Sequence, residues 1–168
     1  MNSRRIYLVG FMGAGKSTVG KILAAKLNCP LYDTDEEIEN RVGKSIADIF
    51  EEEGEEAFRN YETNVLRDLS RKDPPMVIAT GGGLPIRAEN RNLMNQTGLP
   101  VLLRVDPDTA MERVGEDPER PLFQDENQVR MLFTKREPDY ENITTTFDTR
   151  DATPQQIAQK INEKIENS

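Results

Sequence analysis

The sequence predicts an α/β fold in which helices flank a parallel sheet, and three observations predict it. Short apolar runs alternate with longer amphipathic stretches, the pattern of successive βαβ units. The first such run, Ile6-Tyr7-Leu8-Val9, leads directly into the glycine-rich segment Gly10-Phe11-Met12-Gly13-Ala14-Gly15-Lys16-Ser17, a form that joins a strand to a helix. The length of 168 residues suits one domain with a single substantial core. No internal repeat, low-complexity tract or linker breaks the alternation.

Taken in order, the first apolar run predicts a strand near 5–9, and a helix near 16–27 follows the glycine loop. Asn28-Cys29-Pro30 ends that helix, because the residue before a proline is disfavoured in the helical region. A second strand is expected near 30–33, then helices near 34–42, 45–52 and 55–71. The run Glu51-Glu52-Glu53-Gly54-Glu55-Glu56 could suggest a metal site. A solvated junction between two helices is the preferred reading, since packed like charges are kept in water. Pro74-Pro75 punctuates the approach to a third strand near 76–80. Beyond it the pattern predicts a helix near 86–96, a strand near 100–105, helices near 108–115 and 126–138, a strand near 144–148 and a helix near 154–166. The stretch 115–127 differs in kind: it is polar, with Pro118, Pro121 and Arg120. It reads either as a lid that delivers a cation when closed or as an ordinary surface loop.

Composition excludes several classes of function. Net charge is −8, from 22 basic and 30 acidic residues, so no global positive field draws the chain to nucleic acid or lipid. No apolar run approaches the roughly 20 residues of a membrane helix, and no signal-like stretch opens the sequence. Cys29 is the only cysteine, which removes an intrachain disulfide and suits a reducing cytosol. Histidine is absent. Acid–base chemistry must therefore fall to carboxylates or lysine, or be replaced by electrostatics.

The glycine loop matches G-x-x-x-x-G-K-[ST]. A loop that wraps a polyphosphate turns its N–H groups inward, and Cβ atoms would obstruct that curl. The helix beginning at Lys16 adds free N–H groups and the positive end of its dipole. Lys16 can reach the β/γ-phosphates and Ser17 can ligate Mg²⁺, so the motif predicts binding of a nucleoside triphosphate. A turn that binds nothing is the alternative.

Three further groups of residues carry chemistry. Asp33-Thr34-Asp35 falls where the second strand should end, the side on which open α/β sheets collect ligands. One carboxylate could hold Mg²⁺ and the other could orient an acceptor hydroxyl. Asp35 could also cap a helix starting at Glu36, which would not stop it from acting on a ligand. The third strand ends without the aspartate that many phosphate-loop proteins use for the metal, which favours Asp33 in that role. Thr80-Gly81-Gly82-Gly83 suits a close backbone approach to a ligand, or a flexible turn. Arg59, Arg120 and Arg136 are candidate anion ligands, a guanidinium pairing bidentately with carboxylate or phosphate.

Together these residues resemble the shikimate kinase family over nearly the whole chain. The resemblance rests on the phosphate loop through Thr18, on Tyr32-Asp33-Thr34-Asp35, Ile46-Ala47-Asp48-Ile49-Phe50 and Gly54-Glu55-Glu56-Ala57-Phe58-Arg59. Ala79-Thr80-Gly81-Gly82-Gly83, Arg120-Pro121-Leu122 and Arg136-Glu137-Pro138-Asp139-Tyr140 complete it. It implies a three-layer α/β/α fold of the nucleoside-monophosphate-kinase-like type, with a five-stranded parallel sheet in the order 2-3-1-4-5. The implied reaction is ATP-dependent phosphorylation of the shikimate 3-hydroxyl, on the route to chorismate and the aromatic amino acids. On this likeness Lys16, Asp35 and Arg120 are catalytic, and Gly13, Ala14, Gly15, Lys16, Ser17 and Thr18 hold the ATP phosphates. Arg113, Arg150 and Pro154 flank the adenine, and Ser17 and Asp33 serve Mg²⁺. Asp35, Arg59, Gly81, Gly82, Gly83 and Arg136 bind shikimate. A single domain spanning 1–168 is implied, with a substrate-binding helical region near 34–62 and the lid near 115–127. A cytoplasmic monomer that contacts neither nucleic acid nor membrane is expected. Pro85, two residues beyond Gly83, departs from the small residues expected there. The main rivals are a gluconate kinase on the same scaffold, whose polyol substrate needs no two-arginine clamp, and a non-catalytic nucleotide-binding module.

Overall fold

The computed structural model describes residues 4–115 and 125–168. Arg120 and the stretch 116–124 of the expected lid lie outside the described residues.

The central strand β1 (Arg5–Val9) is apolar because both of its faces are covered. Successive side chains alternate between faces, yet Ile6, Tyr7, Leu8 and Val9 are all fully buried. It pairs in parallel with β3 (Met76–Ala79) on one side and β4 (Leu99–Arg104) on the other. Beyond these lie β2 (Leu31–Asp33) against β3 and β5 (Thr146–Asp148) against β4, both parallel. Among the described residues the sheet therefore has five strands in the order β2-β3-β1-β4-β5, as the resemblance implied.

Helices complete the two outer layers. On the first crossover α1 (Lys16–Leu27) packs against the C-terminal α8 (Pro154–Glu166). The helices α2 (Thr34–Val42), α3 (Ile46–Glu53) and α4 (Glu55–Ser70) pack on one another, and α5 (Ala88–Thr97) lies against α4 and β4. Finally α6 (Pro107–Gly115) packs against α7 (Glu126–Tyr140). None of the described helices is long and apolar enough to cross a membrane.

Three details near the site differ from expectation, each for a local reason. Pro85 is buried in a short 3₁₀ turn, Leu84–Ile86, and α5 starts only at Ala88 rather than near 86. A proline suits the start of a helical turn, where its missing N–H is not needed, so the departure at Pro85 is absorbed by the backbone. The helix α7 continues through Pro138 to Tyr140. Its end is fastened by the buried Tyr140, whose hydroxyl donates to the Gly82 carbonyl at 2.6 Å. At α2 the cap is Asp33, not Asp35: its carboxylate accepts from the N–H groups of Asp35 (2.9 Å) and Glu36 (3.2 Å). Asp35 thus stands in the first turn of a helix, just past the end of β2.

The acidic run is a solvated helix junction. Gly54 separates α3 from α4 with φ +88°, and the carboxylates on either side are exposed. Lys44 and the Tyr61 hydroxyl meet Glu53 there at 3.6 and 2.8 Å. Among the described residues no cluster of three candidate ligands could hold a metal ion by itself.

Candidate active site

The site is assembled at the carboxyl ends of β1, β2 and β3. In the loop after β1, Gly10, Gly13 and Gly15 have φ of +156°, +76° and +88°, values that L side chains rarely adopt. A Cβ on Gly10 would stand 2.5 Å from the Leu103 carbonyl oxygen, so β4 closes tightly on the loop. The Ala14 N–H donates to Phe11 O at 3.1 Å, and the Ala14 methyl is buried beneath the turn. Gly15 is the N-cap of α1, where no side chain caps the helix and no acidic residue occupies the first turn. The helix N-terminus therefore presents N–H groups and partial positive charge to an anion.

Lys16 folds back over this loop. Its ammonium donates to the Gly10 carbonyl and to Phe11 O at 3.1 Å. Ser17 and Thr18 follow, exposed at the mouth, and the Ser17 hydroxyl lies 3.4 Å from Asp33 Oδ2. Asp33 divides its carboxylate between two tasks, Oδ1 capping α2 and Oδ2 facing Ser17. A hydroxyl and a single carboxylate oxygen form a donor set suited to Mg²⁺, which keeps several waters and binds through one or two carboxylates plus phosphates.

The glycine run beyond β3 forms the opposite wall. Thr80 Oγ1 donates to Leu8 O at 2.9 Å, and the Gly81 N–H donates to Thr34 Oγ1 at 3.0 Å. These bonds fix the run against β1 and α2. None of the three glycines has positive φ, so turn flexibility does not account for them. The space they leave does. A Cβ on Gly81 would stand 2.7 Å from Asp35 Oδ1 and 3.1 Å from Glu62 Oε2. One on Gly83 would strike the Arg59 guanidinium, 2.7 Å from its Cζ. At Gly82 the nearest atoms are Gly10 O (3.6 Å) and Met12 N (3.8 Å), which sets the run beside the phosphate loop.

Arg59 is held from below. It donates to Glu62 Oε1 at 2.6 Å, pairs more loosely with Glu55 at 3.4 Å, and stands over the Phe58 ring. Arg136 comes to the same place from α7. Among the described residues its guanidinium makes no hydrogen bond or ion pair. Burial lowers its pKa, and the nearby charge of Arg59 lowers it further. Two guanidiniums within electrostatic reach of each other, in a half-buried cleft, favour an anion between them.

At the other end of the phosphate loop, Arg113 donates to Gly13 O (2.8 Å) and to Thr149 O (3.2 Å), tying the loop to the segment after β5. Arg150 is exposed and pairs loosely with Asp106 and Asp148, both at 3.9 Å. Pro154 opens α8 behind the Thr153 cap.

Sequence reasoning missed Glu62, Thr34 and Tyr140 as parts of this site. Glu62 carried a signal, being a charged residue in register with the buried face of α4 that includes Phe58, Val65, Leu66 and Leu69. Cys29 is half-buried and burial pushes its thiol pKa up, in keeping with an inert residue.

Residues 12–166 match the family model described as shikimate kinase. A shikimate kinase of Bacillus mycoides is 42% identical over 164 residues, covering 96% of this chain and 98% of its own. A solved shikimate kinase from Acinetobacter baumannii, in complex with shikimate, is 40% identical and superposes with a TM-score of 0.91 over 98% of this chain and 94% of that one. A gluconokinase from Sinorhizobium meliloti is 17% identical, with a TM-score of 0.64 over 99% of this chain and 93% of that one. That likeness is one of fold alone.

Proposed function

The chain belongs to the shikimate kinase family, and from that premise we propose that it transfers the γ-phosphoryl group of ATP to the 3-hydroxyl of shikimate, giving shikimate 3-phosphate and ADP. The observation that carries this reading is the placement of the glycine run. Gly82 lies against the phosphate loop, while Gly81 and Gly83 lie under Asp35 and Arg59. A molecule seated on that run has its hydroxyls near Asp35 and its carboxylate near Arg59 and Arg136, within reach of a nucleotide in the loop.

On this reading the N–H groups from Gly13 to Thr18 hold the phosphates. Lys16 exchanges its carbonyl partners for phosphate oxygens and stabilises the charge that develops during transfer. Ser17 and Asp33 would hold Mg²⁺, which would neutralise and orient the phosphates. Asp35 aligns the 3-hydroxyl and takes its proton as the oxygen bonds to phosphorus and ADP leaves. Arg59 and Arg136 clamp the carboxylate, and Gly81, Gly82 and Gly83 contribute backbone contacts. Arg113, Arg150 and Pro154 border the adenine. Arg120, outside the described residues, is assigned to the lid and the ATP phosphates. The enzyme is read as a cytoplasmic monomer of one domain, with acceptor contacts concentrated in the helical region 34–62.

Release of ADP with shikimate, with gluconate and with no acceptor tests the reading. Turnover with shikimate alone is expected. Turnover with gluconate instead moves the assignment to a polyol kinase, and acceptor-independent hydrolysis to a nucleotide-driven module.

A further inference from the structure

Glu62 is fully buried on the inner face of α4, and its two carboxylate oxygens have different surroundings. Oε1 accepts from Arg59 at 2.6 Å. Among the described residues Oε2 has no hydrogen-bond partner. It stands 3.1 Å from where a Gly81 Cβ would be, and Asp35 Oδ1 stands 2.7 Å from the same point. Two carboxylates thus converge over one glycine, and among the described residues the cations that act on Glu62 are Arg59 and Arg136.

The groups facing Glu62 come from three elements: Arg59 on its own helix, Asp35 on α2 and Arg136 on α7. Burial raises its pKa most strongly, the Arg59 charge and hydrogen bond lower it, Asp35 raises it and Arg136 lowers it, leaving it at about 7. The charged form is therefore retained near neutrality by the same two guanidiniums that the acceptor carboxylate would engage.

We propose that Glu62 is a positioning residue that takes up a proton when the acceptor's carboxylate docks on Arg59, so that acceptor binding is coupled to proton uptake. This rests on the reading that the carboxylate is held by Arg59 and Arg136. An arriving carboxylate adds a negative charge to the same half-buried cleft and draws on the guanidinium that stabilises ionised Glu62. The proton comes from solvent buffer and forms an O–H bond at Oε2, the oxygen without a partner. Oε1 still accepts from Arg59, so neutral Glu62 continues to orient the clamp without competing for its charge.

Calorimetric titration of the full-length protein with shikimate, in buffers of low and high ionisation enthalpy at pH 7, reads the coupling directly. Because about half of Glu62 is ionised at a pH equal to its pKa, uptake of up to about 0.5 proton per site is expected. The Kd should rise as pH increases above 7, by at most about tenfold per pH unit. Glu62→Gln retains an acceptor for Arg59 and should remove both effects. If that variant fails to fold, the carboxyl ¹³C resonance of Glu62 in the unsubstituted protein should titrate at higher pH with shikimate than without it. Shikimate binding without proton uptake, or with uptake retained in Glu62→Gln, overturns the inference and leaves the acceptor reading standing. Absence of shikimate binding overturns the acceptor reading, and this inference with it.

Discussion

Adding one methyl group at a time to Gly81, Gly82 and Gly83 separates the functions that the run brings together. None of the three residues has positive φ, so alanine costs no backbone strain, and the outcome depends on what its Cβ meets. At Gly81 it would stand 2.7 Å from Asp35 Oδ1, below any ordinary carbon–oxygen contact, and the carboxylate must move by several tenths of an ångström or more. A misplacement approaching 1 Å costs on the order of 10²-fold in rate. Gly81→Ala should therefore reduce kcat by about that factor. At Gly83 the methyl enters the Arg59 guanidinium, the far end of a flexible side chain, which can swing away without unfolding α4. The loss is then one charge-assisted contact to the acceptor, about 1.5–3 kcal/mol, or roughly 10- to 150-fold in KM for shikimate. At Gly82 the nearest atoms are at 3.6 and 3.8 Å, ordinary contact distances, so alanine there displaces neither Asp35 nor Arg59 and any loss is confined to the acceptor's own contact with that backbone. Steady-state ADP release at varied shikimate and saturating ATP measures all three, with circular dichroism to confirm folding. Gly81→Ala with an unchanged kcat, or Gly83→Ala with an unchanged KM, would refute the argument that these two glycines make room for Asp35 and Arg59.

Lys16→Ala should reduce kcat by at least about 10²-fold through lost charge stabilisation on the transferring group; near-parental turnover with Mg²⁺ and ATP would sink the phosphate-loop assignment. Arg136→Lys should raise KM for shikimate by roughly 10- to 150-fold and leave KM for ATP nearly unchanged, because an ammonium lacks the planar fork. Unaltered shikimate kinetics would place the carboxylate elsewhere. Glu62→Gln should flatten the dependence of stability on pH. The folded protein holds the Glu62 proton up to about pH 7, whereas an ordinary glutamate releases it near 4.5. The native state therefore binds more protons across that window, and stability falls as pH rises through it. At about 1.4 kcal/mol per tenfold in the ionisation constant, the cost by pH 8 is about 3 kcal/mol. Chemical denaturation at pH 5 and pH 8 should show the parent losing about 2 to 3 kcal/mol more stability than the variant, because part of the effect is already lost at pH 5; equal losses in the two would contradict a buried, reluctantly ionised Glu62.

The phosphate loop, the strands and most helix limits could be read from the sequence because their causes are local. Glycines at 10, 13 and 15 are demanded by backbone angles within the loop itself, and β1 announces its burial by an unbroken apolar run. The cap of α2 falls on Asp33 rather than Asp35, since which oxygen reaches which N–H is settled only when the chain turns. Arg59, Arg136 and the glycine run stood out by residue type as candidates for an anion and for a close backbone approach, but their proposed grouping around one acceptor came from likeness to a family. Tertiary structure alone showed that Gly81 and Gly83 serve side chains from α2 and α4, that Tyr140 fastens α7 to Gly82, and that Glu62 supports Arg59. Those contacts join residues distant in the chain, or depend on burial for their character. A carboxylate three residues from an arginine on an exposed helix is a weak, solvated pair. The same pair becomes consequential here because burial beside the glycine run removes the water around it.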